Sequence, residues 1–253
     1  MSHCARAFRA VFLAAVFLAV AVAAAFAATL YQVGTIESLS AGDYAGRETF
    51  ATLARHGDFG LGTFTDLDGE MLALDGRFYQ VKSDGVVRRV SPGEKAPFAQ
   101  VVFFTGGLDL GRVDGLGLEA LGKALAGRLP DPTRFYAVRL DGLFGALTLR
   151  SVPAQGRPWP PLAEAVKRQA TFPLADVAGT LIGIYSPPGA SALSPTGWHF
   201  HFLSADGRHG GHVLAATATS VKARGDAVTD LRLVFPEGPT PRGDFAHPAA
   251  GTE

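Results

Sequence analysis

The sequence predicts a mixed α/β fold dominated by β-strands, and three observations carry that expectation. Asp-Gly pairs recur at Asp68-Gly69, Asp75-Gly76, Asp84-Gly85 and Asp141-Gly142. Strand-like runs surround them, among them MLAL (71–74), RFYQV (77–81), VVRRV (86–90), AQVVFF (99–104) and RFYAVRL (134–140), several with apolar alternation. An Asp-Gly pair supplies the positive-φ residues of a tight hairpin turn, so a β-meander is expected. Finally, 31 glycines with only 18% charged residues describe a turn-rich globular chain rather than a disordered one.

Taken in chain order, residues 1–27 have a short basic start (Arg6, Arg9), an unbroken apolar run and an Ala25-Phe26-Ala27 ending. That is the pattern of a secretory signal peptide, shorter than a membrane span requires. The expectation is an exported chain, periplasmic or secreted, with no membrane segment in its mature form. Cys4, the only cysteine, lies inside this peptide, so residues 28–253 offer neither disulfides nor thiolate ligands. Any transition metal must then be held by His, Asp or Glu. Basic and acidic residues balance at 23 each and form no basic run, which argues against a nucleic-acid partner.

Three helical stretches interrupt the strand pattern. GRETFATLARHG (46–57) has apolar residues at helical spacing and stops on glycine. Asp114 is a candidate cap for a helix whose Leu118, Leu121 and Leu125 share a face. PLAEAVKRQATF (161–172) opens on proline, as a first turn allows. The Pro-rich VPAQGRPWPP (152–161) reads as the connector between an N-terminal mixed sheet, 28–157, and a smaller antiparallel unit, 158–253. The tail after Pro236 reads as extended.

Four of the seven histidines fall between 199 and 212, in GWHFHFLSADGRHGGHVL (197–214). If Asp206-Gly207 forms the hairpin turn, Ala205 faces Arg208 and, counting outward, His201 faces His212. Strand alternation then puts His199, His201 and His212 on one face and leaves His209 on the other. Cβ atoms would stand about 5 Å apart across the strands and about 7 Å apart along one. A bulge at Gly210-Gly211 would shift this parity. Three imidazoles at that spacing suit a divalent metal, and three protein ligands leave positions open for water or substrate.

GWHFHFLSADGRHGGHVL resembles the metal motif of the α-acetolactate decarboxylase family. HGDFGLGTFTDLDGEMLALDGRFYQVKSDG (56–85) and FYAVRLDGLFGALTLRSVPAQGRPWPPL (135–162) resemble the same family, across nearly all of the chain after residue 28. The resemblance implies zinc held by His199, His201 and His212. It further implies an active-site glutamate at Glu70, an arginine at Arg150 and a threonine at Thr63. The family's C-terminal glutamate has Glu253 as its candidate here, in a tail that diverges from the family pattern. The implied substrate is a small β-keto acid, 2-hydroxy-2-methyl-3-oxobutanoate, decarboxylated to acetoin without an organic cofactor. A two-part β architecture and a homodimer are implied as well. The alternatives weighed against this are a zinc hydrolase using metal-bound hydroxide and a non-enzymatic zinc-binding module.

Overall fold

The computed structural model describes residues 28–235; residues 1–27, expected to be a signal peptide, the tail after Pro236, expected to be extended, and Glu253 lie outside them. In chain order the elements are β1 (Ala28–Val33), α1 (Ile36–Ser40), β2 (Glu48–Thr49), α2 (Phe50–Leu53), β3 (Phe59–Thr63), β4 (Glu70–Leu74) and β5 (Arg77–Val81). There follow β6 (Val87–Arg89), β7 (Lys95–Ala96), β8 (Ala99–Val102), β9 (Leu108–Val113), β10 (Leu116–Gly117) and α3 (Leu118–Ala126). The long strands come last: β11 (Tyr136–Ser151), α4 (Leu162–Ala165), β12 (Ala170–Ser186), β13 (Gly197–Ser204) and β14 (Gly210–Val234).

Among the described residues, twelve strands form one hydrogen-bonded system whose main path runs β11-β12-β13-β14-β1-β8-β3-β4-β5-β6. Strands β9 and β10 add to β14 off this path, and β11 also pairs with β14. The last four long strands therefore return on themselves. β1 joins β14 in parallel, and its register from Thr29↔Asp230 to Val33↔Val234 links that ring to the antiparallel β8-β3-β4-β5-β6 layer. The fold is β-dominated and mixed, as expected. The connector at 157/158 does not separate two sheets: β11 and β12 on either side of it pair from Tyr136↔Tyr185 to Ser151↔Ala170.

The turn signals divide by context. Asp75 and Gly76 close β4 onto β5 with φ of 51° and 72°, the two positive values a type I′ turn requires. Asp141-Gly142 is no turn; it lies inside β11, paired with both β12 and β14. Gly142 is needed there because a Cβ would collide with the Ser220 carbonyl oxygen. The dipeptide is the same, but here neighbours on both sides offer every backbone group a ladder partner, so the strand continues.

The expected helices are shorter than their periodicity suggests. Only Phe50–Leu53 of the 46–57 stretch is helical, and the 161–172 stretch is helical only to Ala165, continues as a 3₁₀ turn to Arg168 and becomes β12 at Ala170. In α3 the leucines bury as anticipated, with Leu121 and Leu125 fully enclosed, but Gly117 is the cap. Asp114 instead accepts the Val221 amide at 3.0 Å. The short α1 went unanticipated; Thr35 and Ser38 cap it reciprocally.

Alternation along β13 decides where the site lies. Trp198, Phe200 and Phe202 point into the ring of long strands, where Phe202 meets Phe144 edge-on at 5.5 Å. His199, His201 and Leu203 point the other way, toward the β3–β4 layer, where Leu203 packs with Leu61 and Leu72. The histidine face is thus sandwiched between two β layers.

Candidate metal centre and active site

The β13–β14 register pairs His201 with His212, Phe202 with Gly211 and Leu203 with Gly210. The outward count from Asp206-Gly207 gives this pairing, and Gly210-Gly211 introduces no parity shift. His209 is exposed on the turn. The His199, His201 and His212 rings have centroids 4.9–5.4 Å apart, and one ligand nitrogen from each lies within 4.8 Å of the others.

Backbone from the opposing layer fixes the central ring. His201 Nδ1 lies 2.8 Å from the Met71 carbonyl oxygen, which can only accept, so Nδ1 carries the proton and Nε2 presents its lone pair to the site. His201 Nε2 and His199 Nδ1 are buried without a hydrogen-bond partner. Buried polar atoms are rarely left so, because an unmade bond costs about 1–3 kcal/mol. A cation accepting the His201 Nε2 lone pair supplies its missing interaction, and His199 Nε2 and His212 Nδ1, 3.1 Å apart within the cluster, can complete the set, so the donor set fits a metal. Three neutral nitrogens with no thiolate leave coordination positions open, as in a catalytic rather than a structural metal site.

Glu70 opens β4 beside Met71, with Oε2 3.5 Å from His201 Nε2. Arg150 is the register partner of His212 on β11, and its guanidinium stands 3.9 Å from Glu70 Oε1. Thr63 faces Glu70 across β3–β4 and donates its hydroxyl to the Gly69 carbonyl at 2.7 Å, holding the backbone just ahead of Glu70. Thr63, Glu70, Arg150 and the three histidines, named on the sequence, therefore converge. His56 does not join them; it stacks on Tyr31.

A cavity of about 270 Å³ opens on this cluster, with Glu70, Arg150, His199 and His212 in its wall. Its apolar side comprises Ile36, Leu39, Leu67, Phe98, Pro195 and Trp198. Trp198 adjoins His199 in the histidine motif, yet no spacing in the sequence marks it as part of the cavity. Its indole N–H donates to the Gly122 carbonyl at 2.9 Å, which fixes the ring as a wall. Leu67 carries no sequence signal, because its side chain enters the cavity from an irregular turn with no periodicity to mark it.

Burial sets the protonation states. It pushes the Glu70 carboxyl up to about 7, against the opposing pull of Arg150. It pushes His199 down to about 3, with Arg150 adding to the effect. His201 and His212 lie well below the usual histidine range, from burial first and from neighbouring His199 second. Neutral imidazoles are what a cation needs, and a carboxyl that keeps its proton near neutrality can act as an acid.

The α-acetolactate decarboxylase family model matches residues 30–242. A Methylococcus capsulatus protein of that name is 39% identical over 208 residues, spanning 82% of this chain and 80% of its own. One from Methanosarcina mazei is 40% identical over 222 residues, spanning 88% and 76%. The crystal structure of α-acetolactate decarboxylase from Bacillus subtilis strain 168 superposes with a TM-score of 0.81 at 35% identity, covering 83% of this chain and 90% of that one. Histidine cluster, fold and sequence point the same way, and the chain belongs to the α-acetolactate decarboxylase family.

Proposed function

We propose that this protein is a zinc-dependent decarboxylase converting α-acetolactate, 2-hydroxy-2-methyl-3-oxobutanoate, to acetoin and carbon dioxide. The observation that supports it most directly is the convergence of three neutral histidines, a protonatable buried carboxyl and a guanidinium on one small cavity. Breaking the C1–C2 bond releases carbon dioxide and leaves its electron pair on C2, delocalised onto the C3 ketone as an enediolate. A zinc ion held by His199, His201 and His212 supplies a Lewis acid for the oxygens that take up this charge.

The chain's own groups do the rest. Arg150 offers a fixed fork to the substrate carboxylate, orienting the bond that breaks. Glu70, kept protonated by burial, delivers its proton to C2 and regains one from solvent, so the released product is neutral acetoin. Because Glu70 stands on one side of the cluster, protonation falls on one face and gives a single enantiomer. The apolar wall of Leu39, Leu67, Phe98 and Trp198 excludes water, which would otherwise protonate either face.

The test is acetoin formation from racemic acetolactate by the purified chain, with and without chelator, alongside elemental analysis. One zinc per chain, with activity lost on chelation and restored by zinc, is the expected result. A chelator-insensitive activity would end the zinc reading, and hydrolysis of esters without decarboxylation would favour the hydrolase alternative. The proposal includes export with cleavage after Ala27, so the secreted chain should begin at Ala28. It also includes a homodimer, to be checked by light scattering.

A further inference from the structure

Glu70 and Arg150 sit on different strands, and the turns that carry them are laced together away from the cavity. The turn entering Glu70 contains Asp66 and Leu67 with φ of 62° and 57°. Non-glycine residues seldom adopt this left-handed region, and two in succession persist only where the surroundings hold them. Here the N–H, the carbonyl and one carboxylate oxygen of Asp66 are all bound. Its N–H donates to the Tyr44 carbonyl at 2.9 Å, its carbonyl accepts the Gln155 amide at 2.7 Å, and its Oδ1 accepts the Trp159 indole N–H at 3.1 Å.

Gln155 and Trp159 belong to the segment leaving Arg150. The Gly69 amide adds a bond to the Val152 carbonyl at 3.0 Å, and the Tyr44 hydroxyl donates to the Pro160 carbonyl at 2.9 Å. The Arg157 guanidinium lies 4.2 Å over the Trp159 ring and holds the indole in place. Two segments far apart in the chain are therefore cross-braced within four residues of Glu70 on one side and within nine of Arg150 on the other. The brace also turns Leu67 into the cavity wall.

We propose that Asp66 and Trp159 are positioning residues, which set the Glu70–Arg150 spacing and the place of Leu67 through the side-chain bond between them. Neither contacts the reacting atoms. The proposal rests on the decarboxylase reading of the same cavity.

Three variants test it. Asp66→Gly tolerates the left-handed backbone but loses the acceptor; Trp159→Phe keeps a ring but loses the donor; Asp66→Asn keeps both the acceptor oxygen and the backbone tolerance. In zinc-loaded protein, Asp66→Gly and Trp159→Phe should each lower kcat about ten- to a hundredfold, as misplacement of reacting groups does, with KM within about twofold. Acetoin from both should lose enantiomeric purity, and Asp66→Asn should match the parent. The double variant Asp66→Gly/Trp159→Phe should be no slower than the slower single one, since both remove one bond. Amide exchange in peptides covering 64–72 and the braced 155–159 segment should quicken in the two impaired variants, with zinc content unchanged.

Parent-like kcat and product purity in Asp66→Gly and Trp159→Phe would overturn the proposal. So would an Asp66→Asn variant as slow as Asp66→Gly, or exchange at 64–72 that does not change. If the parent protein with zinc forms no acetoin, the decarboxylase reading falls, and the exchange comparison still decides whether the brace exists.

Discussion

His201 donates from Nδ1 to the Met71 carbonyl oxygen at 2.8 Å, so the strand that carries Glu70 also fixes the tautomer of the central histidine. One backbone bond between the two β layers thereby aims His201 Nε2 at the cluster and sets Glu70 next to it.

Removing that ring should remove the metal. His201→Ala is expected to bind no zinc and to be inactive, whereas His209→Ala, altered on the exposed turn, should keep both metal and activity. Elemental analysis of the two purified variants checks this. A His209→Ala protein without zinc would show that the histidine set is wrong.

Glu70→Gln keeps the shape and most hydrogen bonding but has no proton to give. Zinc should stay at one per chain while turnover falls about a hundred- to ten-thousandfold, the usual contribution of general acid catalysis. Residual product should be closer to racemic. A loss under tenfold with single-handed acetoin would remove Glu70 from the role of donor.

Stability of the metal-free protein should fall on acidification. Unfolded histidines take up protons near pH 6.5, and the three buried ones do not, which favours the unfolded chain as pH drops below that value. Glu70 opposes this: folded, it holds a proton up to about 7, whereas its unfolded counterpart releases it above 4.5. Three protons against one leave a net difference of about two, or about 1–3 kcal/mol per pH unit between about pH 4.5 and 6.5. Denaturant titrations of chelated protein at pH 5, 6 and 7 would show it. A zinc-loaded sample should be more stable at each pH, by about 2.7 kcal/mol at a hundredfold excess over its dissociation constant.

Thr63→Val deletes the hydroxyl bonded to Gly69 and leaves that carbonyl buried without its partner. The expected cost is about 1–3 kcal/mol of stability, with zinc retained and kcat reduced. Thr63→Ser should restore both, because it returns the donor at the same place. A Thr63→Val enzyme with parent-like kcat would confine the residue to stability.

Features set by short stretches of chain were legible in the sequence. The pairing of His201 with His212 follows from a turn and a count, because strand periodicity is a local property of the backbone. The Asp75-Gly76 turn and the buried leucine face of α3 were legible for the same reason. Glu70, Arg150 and Thr63 were legible only through family resemblance, since a lone carboxylate after an Asp-Gly pair carries no sign of burial.

Tertiary structure decided the rest, through contacts between residues far apart in the chain. Asp141-Gly142 runs straight because β12 and β14 flank it on both sides, which outweighs a local preference for turning. Residues 170–172 leave their helical pattern for the β11 ladder. Above all, burial is a property of the assembled layers. It turns Glu70 from an ordinary surface carboxylate into an acid near pH 7, and the histidines from ordinary bases into neutral ligands, because only the packed β3–β4 layer removes the water that would solvate their charges.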